Sequence, residues 1–191
     1  GRAADILVVD NLTQFTVSQV FCDGVRVARD NQLCRPVSRF TYPEWALNTV
    51  HLDLLKTADF HIRAPRESPV QVRVIQLVPG RVHTVAETAA LTPRDHALHA
   101  DPQQHLAKAA VFYRHSSPTG HAEGSRGLGF VAGTGFTAGT AYASTVCHDS
   151  HNLLVIGMDD AAMALAANTL IRSGGGLAVV KENEVLAHLP L

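Results

Sequence analysis

The sequence is poor in charge of either sign. Only 17% of its 191 residues are charged, and the formal net charge is -1 with the histidines neutral. Phosphate backbones and anionic lipid surfaces attract proteins through an excess of basic side chains, which this chain lacks. We therefore expect neither a nucleic acid nor a membrane partner. Hydrophobic residues make up 46% of the chain, which favours a compact globular protein over a disordered one.

Cysteines and unbroken apolar segments are also scarce. Cys22, Cys34 and Cys147 are odd in number and form no C-x-x-C pair, which favours reduced thiols over a disulfide framework. Polar residues and glycines interrupt the apolar stretches at 131–146 and 153–157, so neither predicts a membrane-spanning helix. The first residues do not have the pattern of a secretory signal. We expect a cytoplasmic protein.

Several catalytic motifs are missing. The sequence has no P-C-x-x-C, which the zinc-dependent nucleobase deaminases combine with H-x-E. It has no G-x-S-x-G nucleophile motif and no P-loop. Gly174-Gly175-Gly176 follows a predicted helix, whereas a phosphate-binding loop precedes one. We interpret these glycines as the end of the helix.

Alternation and turn signals predict an α+β fold of antiparallel hairpins with one long helix. The predicted hairpins turn at Asp23-Gly24, at Pro79-Gly80 and at Glu182-Asn183, each between runs of apolar residues. The helix is predicted to begin after Asp159 or Asp160 and to run to about Ser173.

Other elements are predicted less directly. Residues 4–10 are typical of a buried strand, and residues 44–47 of a helical turn after Pro43. Asp101-Pro102 predicts the start of a brief helical turn, while residues 107–113 fit either a helix or a strand by pattern alone.

The densest polar cluster is Cys147-His148-Asp149-Ser150-His151-Asn152, directly before the predicted strand 153–157. Such a loop could orient a purine by its ring nitrogens, or relay protons through His148 or His151. The alternative is a polar turn whose side chains cap their own backbone. We predict no metal site here, because two histidines at i and i+3 face the same way only on a helix. His96 and His99 are expected on the solvated surface.

Several runs of sequence resemble the C-terminal domain of bacterial adenine deaminases, in the amidohydrolase superfamily. The resemblance rests on residues 146–164, on Gly174-Gly175-Gly176 with 177–180, on 42–50, on 72–75 with Pro79-Gly80, and on 186–191. Residues 4–10 and the hairpin at Asp23-Gly24 are similar to the small β-sandwich that follows the catalytic barrel in amidohydrolases. Cys147 stands where the family usually has alanine.

The resemblance implies three parts. Residues 1–35 would form a piece of the small β-sandwich, 36–60 a connecting segment, and 61–191 the deaminase C-terminal domain, truncated at its end. The metal ligands of the family lie in the barrel, which includes an H-x-H pair, and the sequence contains no H-x-H. We therefore expect a fragment that is inactive by itself, with no metal bound to it.

The implied parent activity is hydrolytic deamination of adenine to hypoxanthine and ammonia, with manganese, iron or zinc in the barrel. The implied partners are adenine, the missing barrel and further copies of the chain. His148, Asp149, Ser150, His151 and Asn152 are the candidates for residues near the substrate. Two alternatives stay open: a non-catalytic module that binds a purine or regulates another protein, and a related hydrolase acting on another purine.

Overall fold

The computed structural model describes residues 1–115, 126–148 and 150–191. The chain divides into two compact units, residues 1–42 and residues 43–191. The division falls inside the segment 36–60 that the sequence analysis interprets as a connection.

The first unit is a four-stranded antiparallel sheet, with its strands paired in sequence order. The strands are β1 (Ile6–Val9), β2 (Val17–Cys22), β3 (Val25–Arg29) and β4 (Gln32–Leu33). The turn predicted at Asp23-Gly24 joins β2 to β3, and both residues have positive φ angles, 49° and 74°. No residue in 1–42 is fully buried. Ile6, Leu7 and Phe15 are each more than half exposed, so this sheet has no hydrophobic core of its own.

The second unit is built on an eight-stranded sheet. Its strands are β6 (Val70–Leu77), β7 (Thr84–Leu91), β9 (Leu106–Phe112), β10 (Arg126–Ala132), β11 (Thr140–Ser144), β12 (Leu153–Gly157), β13 (Gly176–Lys181) and β14 (Glu184–Pro190). A separate two-stranded sheet contains β5 (Ile62–Arg63) and β8 (Ala97–Leu98). The helical elements are α1 (Glu44–Leu47), a 3-10 helix (Thr57–Phe60) and α2 (Asp160–Ser173).

The large sheet consists of four hairpins side by side. Its strand order is β14-β13-β11-β12-β9-β10-β6-β7, so the hairpins follow one another from the last in the chain to the first. Every pair in it is antiparallel except β10 with β6, which are parallel. The predicted α+β fold of antiparallel hairpins and one long helix is confirmed.

Helix α2 packs on one face of this sheet and contributes to the largest cluster of buried residues. Met163, Ala166 and Leu170 are fully buried on its inner side, against buried strand residues such as Ala143 and Val155. The residues before β5 extend this core, since Leu55 and Phe60 are buried in the same cluster. The Phe60 ring meets Phe112 edge to face, with the ring centroids 5.3 Å apart.

Both ends of α2 lie where the sequence predicts them. Asp159 is the N-cap, and its carboxylate accepts a hydrogen bond of 2.8 Å from the amide of Ala162. Gly174 ends the helix with φ 79°, and its amide donates to the Ile171 carbonyl. The glycines at 174–176 are therefore a helix end.

One local prediction needs correction. Asp101-Pro102 begins a turn and no helix, because Asp101 and Leu106 exchange backbone hydrogen bonds at 2.8 and 2.9 Å and close the chain into a tight loop. The Asp101 carboxylate accepts the amide of Gln103 instead of capping a helix. The helical turn predicted for residues 44–47 after Pro43 is confirmed as α1, with Pro43 as its N-cap. Residues 107–113, which fit either a helix or a strand by pattern, are mostly in strand β9.

None of the helices in the described residues is long and apolar enough to cross a membrane.

Candidate functional site

The polar cluster at 147–152 lies in the loop that joins β11 to β12, at one end of the large sheet. The two strands pair antiparallel with Ser144 opposite Leu154, so the loop is a hairpin connection. Its backbone is folded tightly, because the amide of His151 donates to the Cys147 carbonyl at 2.7 Å and His151 has φ 51°. The amide of Asn152 reaches the Ser150 hydroxyl at 3.4 Å. This loop is thus a compact turn that partly caps itself.

The candidate side chains of this loop face outward. His148, Ser150 and His151 are exposed, and Cys147 and Asn152 are half-buried. Asp149 lies outside the described residues. Within the described part of the chain, the structure gives no hydrogen bond to the imidazole of His148 or His151. An exposed imidazole can donate or accept a hydrogen bond, so both rings are available to a ligand.

Arg114 fastens this loop to the rest of the second unit. It follows strand β9, whose Phe112 pairs with Leu153, so Arg114 lies beside the end of the loop. Its Nη1 donates to the His151 carbonyl at 2.8 Å, and its backbone amide donates to Asn152 Oδ1 at 3.2 Å. Arg114 therefore holds the last two loop residues, His151 and Asn152, in position.

The other side of the Arg114 guanidinium reaches a distant part of the chain. Its Nε donates to the Thr49 carbonyl at 3.1 Å and its Nη2 to the Thr49 hydroxyl at 2.5 Å. The Arg114 carbonyl in turn accepts the amide of His51 at 2.7 Å. Burial lowers the pKa of Arg114 from its ordinary value, since desolvation disfavours the charged form. Charge-assisted bonds of this kind are about twice as strong as neutral ones.

Further aromatic and imidazole rings gather next to Arg114. The ring of His115 lies 6.3 Å from that of His51 and 5.6 Å from that of Tyr113, measured between centroids. We call Thr49, His51, Arg114, His115, His151 and Asn152 the Arg114 cluster. It combines a fixed guanidinium with several imidazoles at one end of the sheet, which is a chemistry suited to polar ring ligands and to proton transfer.

The described residues do not fit a metal. They contain no group of three or more His, Cys, Asp or Glu side chains that could hold an ion. His96 contacts Glu67 on the surface, and the half-buried His99 lies 3.2 Å from the Arg94 carbonyl. The three cysteines are free thiols.

A family model for the adenine deaminase C-terminal domain matches residues 81–191, which is more than half of the chain. The chain belongs to the adenine deaminase C-terminal domain family. The matched residues include strands β9 to β14, helix α2 and the loop with the polar cluster. The resemblance that the sequence analysis drew from residues 146–164 and 186–191 is therefore confirmed.

Curated relatives extend the match over the whole chain. An adenine deaminase of Clostridium botulinum (strain Loch Maree / Type A3) is 42% identical over 192 residues, and one of Moorella thermoacetica is 45% identical over 193. One of Paracoccus denitrificans is 39% identical over 192 residues. Each alignment covers 100% of this chain and 31% of the relative. The chain thus spans about a third of the length of these deaminases.

Sequence reasoning did not find Arg114 or Thr49. The two residues are 65 positions apart, and no motif connects them. The one local signal was the position of Arg114 directly after a buried strand, at the same end of the sheet as the cluster. That position could be interpreted only after residues 107–113 were known to be a strand paired with β12.

Proposed function

We propose that the chain is the C-terminal third of an enzyme that deaminates adenine hydrolytically, giving hypoxanthine and ammonia. The observation that carries the proposal is the alignment of the entire chain with curated adenine deaminases at 42–45% identity. The family model over residues 81–191 supports it as well. Adenine is the proposed substrate of the complete enzyme only.

The metal of that enzyme, manganese, iron or zinc, is proposed to lie in the catalytic barrel outside this chain. The residues described here do not fit a metal site, so we assign them no step that passes through one. The proposed role of the chain is to support the barrel and to border its pocket. We further propose that the complete enzyme is cytoplasmic and assembles from several copies.

The proposed domain arrangement follows the resemblance. Residues 1–35 would be part of the small β-sandwich, residues 36–60 a connection, and residues 61–191 the C-terminal domain. Support comes from the first unit, in which Ile6, Leu7 and Phe15 are more than half exposed on a sheet without buried residues. Half of a sandwich has this property, because its second sheet supplies the missing cover.

The proposed site is the loop from His148 to Asn152, bordering the adenine pocket of the complete enzyme. Two observations support it: the imidazoles of His148 and His151 are exposed, while Arg114 holds the backbone carbonyl of His151 and the side chain of Asn152. A ligand-positioning loop needs both properties, since a free side chain on a mobile backbone would lose conformational entropy on binding. Ser150 and Asn152 would add hydrogen bonds, and Asp149 belongs to the proposal by its position in the sequence.

The test uses the complete parent deaminase. His151→Ala and Asp149→Ala are expected to lower kcat/KM for adenine by about tenfold or more, the usual scale for the loss of a positioning or acid–base group. His96→Ala is the matched control, because His96 is an exposed imidazole outside the Arg114 cluster. Full turnover and full adenine affinity in both variants, together with a fall in Tm, would reduce the loop to a structural turn.

A second measurement separates the enzyme from a purine-binding module. We expect the complete protein to release ammonia from adenine when manganese is supplied, and the 191-residue chain to release none. Calorimetric titration of the 191-residue chain with adenine, hypoxanthine and guanine tests the module directly. Tight adenine binding by this chain, with no deamination by the complete protein, would favour the module and contradict the proposal.

A further inference from the structure

In the part of the chain that the structure describes, no helix lies on the second face of the large sheet. On the covered face, the buried cluster that contains the inner side of α2 also includes Ala110, Ala143, Val155 and Ala178. Successive side chains of a strand point to opposite faces, so the residues between these point away from α2. Whether these residues are polar or apolar decides whether the second face is suited to solvent exposure.

The strand register arranges these residues in two rows that cross six strands. The first row is Gly127, Val111, Leu154, Ser144, Leu177 and Leu189. The second row is Gly129, Ala109, Ile156, Tyr142, Val179 and Ala187. We call these two rows the open face. It is covered in part: Ala109 and Ile156 pack against the buried cluster that contains Ala107, Val131 and Met158, and Ser144 is buried. Neither row contains Asp, Glu, Lys, Arg or His.

An antiparallel sheet that is covered on one face usually carries polar side chains on the other. The open face instead carries Val111, Leu154 and Val179, all half-buried, and Leu189, which is 56% exposed. Strands about 4.8 Å apart and two rows about 7 Å apart give the patch an area of about 400 Å². An apolar patch of this size on a single chain is commonly an interaction site.

We infer that the open face is the docking surface for the part of the parent deaminase that lies outside this chain. The whole of this chain aligns with 31% of the length of each relative. In those relatives, the aligned part is therefore joined to about two thirds of the polypeptide that this chain does not contain. This inference rests on the proposed function, because its occupant is the remainder of that enzyme.

The area of the patch favours this occupant over a second copy of the chain. A stable interface between separate proteins buries about 800 Å² on each side, which is about twice the open face. Covalent attachment gives the two parts a high effective concentration, so a smaller surface is sufficient between parts of one polypeptide. Leu154 follows Asn152 by two residues, so the docked part would lie next to the loop with the polar cluster.

The experiment uses the complete parent deaminase with a specific protease site inserted in residues 36–42, which have no regular secondary structure. After cleavage, we expect residues 43–191 to stay bound to the remainder in gel filtration. Leu189→Glu should increase the released fraction by about tenfold, because it brings a carboxylate into an apolar contact. His188→Glu is the control: His188 is exposed on the same strand, but it pairs with Ala178 of the α2-side core, so it points to the opposite face.

Val179→Glu is the second variant, at the centre of the open face, and its circular dichroism spectrum checks that the sheet has formed. Release of residues 43–191 from the unsubstituted cleaved enzyme would overturn the inference, as would equal release by Leu189→Glu and His188→Glu. A dimer of residues 43–191 that Leu189→Glu dissociates would identify a second copy as the occupant, and would also overturn it. Tight association without adenine deamination would contradict the proposed function while leaving this inference standing.

Discussion

The buried ion pair between Lys108 and Asp160 gives a prediction in which two substitutions at one contact have very different effects. Lys108 lies in the middle of β9 and is 1% exposed, and its Nζ is 2.6 Å from Asp160 Oδ1 in the first turn of α2. The Asp160 side chain is 21% exposed. The lysine therefore depends on the aspartate, whereas the aspartate can also be stabilised by water and by the N-terminus of the helix.

Asp160→Ala is expected to lower the free energy of unfolding by about 3 to 5 kcal/mol, because it leaves a buried ammonium without its counter-charge. Lys108→Met is expected to cost less than about 1.5 kcal/mol, since methionine has a similar length and Asp160 keeps its favourable position at the helix N-terminus. The double variant should be more stable than Asp160→Ala alone, because the unpaired charge has been removed.

Urea denaturation of the 191-residue chain, followed by circular dichroism, measures these differences. The m-value is the control, since an unchanged slope means that the variants unfold from the same compact state. Equal losses in the free energy of unfolding for Lys108→Met and Asp160→Ala would refute the reasoning. The attraction between the two charges would then matter more than the cost of leaving the buried ammonium of Lys108 unpaired.

Three further predictions concern the same unit. Asp159→Ala should cost about 1 kcal/mol through loss of the α2 N-cap, measured by urea denaturation, with Asp159→Asn restoring most of it. Gly157→Ala should cost about 1 to 3 kcal/mol, because the added Cβ would lie 2.4 Å from Met163 Cγ; Gly157→Ala with Met163→Ala should recover stability relative to a Met163→Ala reference. The side-chain hydrogen bond from Gln104 lowers the pKa of Asp101 from its ordinary value of 3.8. Its stabilising contribution is therefore present above about pH 4 and lost as the pH falls towards the lower folded pKa, so Asp101→Asn should show less acid destabilisation than the unsubstituted chain below pH 4.

Elements that depend on neighbouring residues could be predicted from the sequence. Turns and helix ends depend on the type of residue at a single position. Examples are the turn at Asp23-Gly24 and the two ends of α2, at Asp159 and Gly174. The turn at Asp101 was misjudged as the start of a helix, because an aspartate before proline is compatible with both. Only the pairing of Asp101 with Leu106 distinguishes the two.

Contacts between distant residues could not be predicted in the same way. The loop 147–152 could be found from its polar residues alone. Arg114, which bonds both to this loop and to Thr49, could not, because no sequence pattern marks either Arg114 or Thr49. The parallel pairing of β10 with β6 is a further example, since alternation predicts that a strand exists and leaves its neighbour open. Relations of this kind depend on the packing of the whole unit.

The arrangement of the large sheet as four hairpins has a consequence for how quickly it can form. Each hairpin closes over a short stretch of chain, and isolated hairpins form in about 1 to 10 μs. The three junctions between them are slower, because β13 with β11, β12 with β9 and β10 with β6 each require the closure of a much longer loop. Of the four hairpins, β6–β7 leaves the ribosome first, yet β10, its neighbour in the described sheet, begins at Arg126, 35 residues after β7 ends at Leu91. During synthesis this hairpin has to wait with one edge unpaired, so mutations that weaken the β10–β6 junction should slow folding and promote aggregation before they affect the finished protein.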